Sequence, residues 1–287
     1  VTSEPIHSAR LASDAAAAPS ALAPRPSPLA PLHASAALAR RELVRFLRQR
    51  SRVVGALATP LVFWVLIGGG MGHSFVGPDG KSGYLGYFFP GTVLMIVLFT
   101  AIFSTISIIE DRREGFLQGV LVAPVPRWAV VLGKVLGAAA LATLQAALFL
   151  LLAPLAGVPI TIGGAAASLG LIVLIGLMLG AVGLTLAWPL SSTQGFHVLM
   201  NLLLMPMWML SGALFPLRDD AHVAMKSIML INPLTYALAA LRGAMGGANP
   251  AVLCNQALNV GVTAGFTVIA FALASAVASR PARADLD

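Results

Sequence analysis

Between residues 53 and 279 the chain is written in long apolar runs separated by short polar breaks. The runs cover 53–72, 87–109, 128–153, 165–187, 196–215 and 252–279. A helix of about 20 apolar residues crosses a bilayer, so each run is long enough for one span. The stretch from Val135 to Leu217 has no Asp, Glu, Lys or Arg in 83 residues and must hold three spans. Its breaks are the turn clusters at Pro154–Gly164 and Pro189–Gly195. This pattern predicts an all-α, polytopic membrane protein with six transmembrane helices.

Three segments depart from that pattern. Ahead of the first run, Arg41, Arg45, Arg48 and Arg52 recur at helical spacing, with Ala39, Leu43, Phe46 and Leu47 on the opposite face. This predicts an amphipathic interfacial helix over 38–52, its arginines among anionic lipid headgroups. The second departure is EDRREGFLQGVLVAPVPRW at 110–128, an island of charge between two uncharged stretches. A charged side chain at the bilayer centre costs about 2.5–3.5 kcal/mol, so this island must lie in water. Helix over 110–122 would gather Phe116, Leu117, Val120 and Leu121 on one side, before Pro124 and Pro126 end it. It reads as a docking helix or as a loop that only fixes topology. The third is 211–247, too apolar for bulk water and too broken by Pro216, Asn232-Pro233 and charges to span cleanly. Two short re-entrant helices or an amphipathic surface loop both fit.

Composition agrees with the pattern. The 287 residues are 58% hydrophobic and 10% charged, with mean hydropathy +0.88, whereas soluble domains carry about 25% charge. The net charge of +7 follows membrane topology rather than nucleic-acid binding. With both termini cytoplasmic, fourteen Lys and Arg lie inside, against Lys81, Arg218, Lys226 and Arg242 outside. Residues 1–37, rich in Ala, Pro and Ser, read as a disordered tail or a transit segment, and 280–287 as a short cytoplasmic tail around the 53–279 membrane domain. The single Cys254 excludes an internal disulfide and a cysteine-based metal site. Lys134, near the start of the third span, is expected to snorkel toward water. His197 and Asn201, at helical spacing in the fifth run, read as residues that hydrogen-bond to a neighbouring helix rather than as a metal or substrate site.

Four motifs in order carry a resemblance: PGTVLM at 90–95, Glu110 with GFLQGVLVAPVPRW and Gly133-Lys134, LSGALFPL at 210–217, and INPLTYALAALRG at 231–243. The chain resembles the membrane subunit of type-2 ABC exporters, the ABC-2 permease family, from Leu38 onward. The resemblance implies a homodimeric or paired permease in the bacterial inner membrane, energised by a separate ABC ATPase that binds ATP and Mg. It implies a cytoplasmic coupling helix at Glu110, Arg112, Arg113, Glu114, Gly115, Phe116, Gln118, Val120, Leu121 and Pro124. It also implies an external re-entrant gate at Ser211, Gly212, Pro216, Asn232, Pro233 and Tyr236. Gln118 stands where many members carry a carboxylate. No GxxxxGK[ST] occurs, and no nucleophile–base pair suggests catalysis within the chain. An apolar, uncharged pathway makes the expected cargo hydrophobic, lipid-like, a drug or a glycan rather than a small ion. Ion-coupled transport would call for charges that the spans lack, which favours energy from an ATPase. A scaffold or assembly protein and an ATP-independent transporter are the alternatives.

Overall fold

The computed structural model describes residues 29–48, 50–71, 83–217 and 222–280. Of the expected tails at 1–37 and 280–287, residues 1–28 and 281–287 lie outside the described residues, as do Lys81, Arg218 and the side chain of Arg52.

The elements in chain order are α1 (Ala30–Arg48), α2 (Arg50–Gly70), α3 (Tyr84–Ser104), α4 (Ser107–Arg113), α5 (Phe116–Val122) and α6 (Arg127–Leu150). They are followed by α7 (Ile162–Ala187), α8 (Thr193–Trp208), a π turn (Met209–Ala213), α9 (Val223–Ile231), α10 (Pro233–Ala244) and α11 (Gln256–Ser279). Among the described residues, five helical stretches are long and apolar enough to cross a membrane, and the bent pair α9–α10 would add a sixth. In α2, which occupies the first expected run, the apolar stretch is Ala58–Gly70. The pair α9–α10 bends by 79°. Asn232 forms the bend: its Oδ1 accepts from Leu234 N at 3.0 Å, and Pro233 takes the first helical position, where no N–H is needed.

Helix starts follow local chemistry. Thr161, Ser192 and Asn255 accept backbone N–H bonds at the starts of α7, α8 and α11. Within a bilayer, close packing rather than water exclusion joins helices, which favours small residues at the contacts. On α7, a Cβ at Gly176 would lie 3.0 Å from Ala139 Cα, and one at Gly183 would lie 2.9 Å from Thr105 Oγ1. The helix α3 is the centre, with Phe88, Phe89, Leu94, Ile96 and Leu98 fully buried.

The helix α1 begins at Ala30, earlier than the expected Leu38, and packs across α6. A Cβ on Gly133 would sit 2.8 Å from Leu38 Cβ, and one on Gly137 would sit 2.9 Å from Glu42 Cβ. Ser35 Oγ donates to Ala129 O at 2.7 Å. The glycine pair lets the two backbones meet.

Candidate functional site

The charged island is built of two helices rather than the single one that periodicity predicts over 110–122. Gly115 adopts φ 76°, a left-handed conformation that side chains resist, and the chain turns there between α4 and α5. The turn divides the expected apolar face. Leu117 is buried against the core and Leu121 is half-buried there. Phe116 is 37% exposed and Val122 is 87% exposed. Val120 is intermediate, while Gln118 and Pro124 face outward. Leu121 therefore belongs to the fold, and the open apolar surface consists of Phe116 and Val122 with part of Val120.

Beneath this surface lies an ion cluster. Asp111, fully buried, accepts both ends of the Arg41 guanidinium at 2.9 and 3.1 Å, and Arg45 Nη1 at 3.2 Å. Arg45 Nη2 also reaches Glu110 at 3.0 Å and Glu114 at 3.4 Å. Lys134 Nζ pairs with Asp111 and donates to Glu42 Oε1 at 2.7 Å and Ser107 Oγ at 3.1 Å. Two sequence expectations are corrected here. Arg41 and Arg45 face carboxylates on α4, not lipid headgroups, because the glycine pair on α6 draws α1 onto the bundle. Lys134 is buried rather than snorkelling, because Asp111 and Glu42 supply its counter-charge. The bidentate bond to Asp111 also pushes the Arg41 pKa above the ordinary arginine value. Arg48 remains exposed on the outer side of α1. The Arg41 guanidinium lies 3.8 Å over the Phe116 ring, so the cluster touches the open apolar surface.

Arg112 and Arg113 turn the other way. Arg112 donates to Trp188 O at 2.6 Å and to Leu190 O at 3.3 Å, and Arg113 donates to Ser191 O at 2.8 Å. These carbonyls close the end of α7, where cations are favoured. Arg112 is a cap, not the loosely solvated charge that its place in the island suggests. These bonds also put the 188–192 turn at the same end of the bundle as 110–122.

A cavity of about 590 Å³ opens beside the cluster, between α2, α3 and α8. Phe46, Phe63, Phe99, Phe103 and Met205 line it apolarly, while Ser104, Glu110, Thr193 and His197 give it a polar end. His197 packs its ring on Phe103 at 5.0 Å. Asn201 is exposed one turn further along α8, on a face turned away from the neighbouring described helices rather than in the expected interhelical bond.

The opposite end of the bundle gathers three of the four sequence motifs. Gly91 meets Ala213 so closely that a Cβ would approach Ala213 Cβ to 2.9 Å. Trp208 Nε1 donates to Gly91 O at 2.9 Å, Asn232 Nδ2 to Met207 O at 2.6 Å, and Ser211 Oγ to Trp208 O at 2.6 Å. Gly212 has φ 87°, and its carbonyl accepts from Tyr87 OH at 2.8 Å and Arg242 Nη2 at 3.2 Å. Tyr236 packs beside Met229 and Leu217, and Pro216 follows the π turn. Asp111, Glu42 and Arg242 were not singled out by sequence reasoning. Their positions at helical spacing carry no mark of burial, and only packing brings them to their partners.

The sequence matches the family model described as ABC-2 type transporter over residues 34–245. It is 27% identical over 230 residues to Nodulation protein J of Rhizobium leguminosarum bv. viciae, covering 79% of this chain and 86% of the relative. Nodulation protein J of Rhizobium meliloti (strain 1021) is 26% identical over 242 residues, with the same coverage. A probable multidrug ABC transporter permease, YbhR of Escherichia coli (strain K12), is 27% identical over 154 residues, covering 53% of this chain and 42% of that one.

Proposed function

The chain belongs to the ABC-2 type transporter family, as a multi-pass membrane permease that pairs with an ABC ATPase subunit, and from that premise we propose that it exports an amphiphilic molecule across the bacterial inner membrane. ATP and Mg act in the partner ATPase, which docks on α5 from the cytoplasm. A second copy of the chain or a related permease completes the pathway. The gate residues Ser211, Gly212, Pro216, Asn232, Pro233 and Tyr236 close it on the outside.

The observation that carries this reading is the open apolar surface of α5, Phe116 and Val122, on a turn held firm by buried ions. A helix seated on a buried ion cluster can transmit a push, whereas a loose loop would absorb it. The cavity supports the cargo class, because aromatic walls with one polar end suit a molecule with an apolar body and a polar head.

The test is co-purification. Fully burying an apolar side chain contributes about 1.5–3 kcal/mol, so Phe116→Asp with Val122→Asp weakens ATPase docking by tenfold or more. The double variant reaches the membrane at normal levels, since neither side chain is in the core, but loses its ATPase on affinity pull-down and does not transport. Full co-purification with full transport would place the coupling element elsewhere.

A further inference from the structure

Arg242 is the exception among the buried ions. It is 7% exposed, in the last turn of α10. Its guanidinium lies 4.6 Å over the Tyr87 ring, and Nη2 shares the Gly212 carbonyl with Tyr87 OH at a long 3.2 Å. Its Nε is buried with no hydrogen-bond partner. Among the described residues no carboxylate lies within ion-pair distance of it, whereas Asp111, Glu42 and Lys134 at the other end are all paired. An arginine stays charged at any physiological pH, and a buried guanidinium in a membrane protein that no described carboxylate pairs marks a functional place.

We propose that Arg242 receives an acidic group of the exported molecule (a phosphate, carboxylate or sulfate), and that this capture unlatches the π turn at Met209–Ala213. The proposal rests on the exporter reading and narrows its cargo to amphiphiles with an acidic head. A bond from guanidinium to an anionic oxygen is about twice as strong as one to a neutral carbonyl, and the planar fork takes such a group with two donors. The Gly212 carbonyl, already engaged by Tyr87, is the weaker competitor. Giving up Arg242 frees a segment that is predisposed to move, because a π turn broken by a left-handed glycine has other hydrogen-bonding arrangements close at hand. Trp208 on Gly91 and Asn232 on Met207 keep their bonds, so the change is confined to the latch.

The probe is dodecyl phosphate, added to the full chain in phosphatidylcholine nanodiscs. Ser211→Cys in a Cys254→Ser background places a thiol beside the latch, at a position 2% exposed. Dodecyl phosphate should raise its rate of maleimide modification at least tenfold, while dodecyltrimethylammonium and dodecyl maltoside leave it unchanged. With Arg242→Gln added, modification should be fast without any probe and indifferent to dodecyl phosphate. Native mass spectrometry of the chain with Ser211 intact supplies a second measurement, in which retained dodecyl phosphate is lost on Arg242→Gln. No acceleration and no retained probe, or equal retention by Arg242→Gln, would overturn the proposal. Opening by phosphatidylglycerol alone would assign the acidic group to resident lipid and overturn its assignment to the cargo. Neither readout needs an ATPase, so failure here leaves the permease reading intact, and failure of co-purification leaves this result standing.

Discussion

The two ends of the bundle use arginine in opposite ways. At one end Arg41, Arg45 and Lys134 face Asp111, Glu42, Glu110 and Glu114, and the cluster ties three helices together. At the other, Arg242 holds one shared carbonyl and one aromatic face. A paired buried charge resists movement, because separating the partners exposes each to a medium that solvates neither. An arginine on neutral acceptors gives up little on letting go. The first end is therefore fit to carry force from α5 into α1 and α6, and the second to open and close.

The contrast can be broken most directly at Asp111. Asp111→Asn leaves Lys134 and Arg41 without their shared carboxylate, and breaking a buried pair costs about 3–5 kcal/mol. A clear fall in the thermal unfolding midpoint of the detergent-purified protein is expected, partly restored by adding Lys134→Met. An unchanged midpoint would mean that the cluster is no clamp. Gly133→Leu forces α1 off α6, and overpacking of this kind costs about 1–3 kcal/mol, read in the same unfolding measurement. Arg112→Ala removes the cap of α7, worth up to about 2 kcal/mol at a partly buried helix end. Its signature is faster hydrogen exchange at 184–190. Arg242→Met sharpens the comparison. It strands no partner charge among the described residues and keeps an apolar stem, so stability should change by less than about 1 kcal/mol. A loss as large as that of Asp111→Asn would show the two ends to be alike. The smallest effect belongs to Glu114→Gln, whose side chain is 57% exposed, and exposed ion pairs contribute about 0.2–1 kcal/mol. Salt titration of the unmodified protein should be similarly flat.

Much of this protein was legible in its sequence, for a physical reason. In a bilayer, backbone polar groups must be satisfied within the segment, so apolar length alone specifies a helix and polar breaks specify its ends. The runs at 128–153 and 165–187 accordingly became α6 and α7 within a few residues, and Asn232-Pro233 marked its bend from sequence alone. The motifs at 90–95, 210–217 and 231–243 could be seen singly, but nothing in their spacing says that Gly91 meets Ala213 or that Arg242 meets Gly212. The tertiary structure decided that, and it decided which charges are buried. Periodicity gives Arg41 and Arg45 a shared face but not what that face meets. Gly133 and Gly137 admit α1 close to α6, and that approach turns the arginine stripe from lipid toward Asp111. Gly115 likewise split one predicted helix in two, because a positive φ depends on where the chain must turn, which no local pattern encodes.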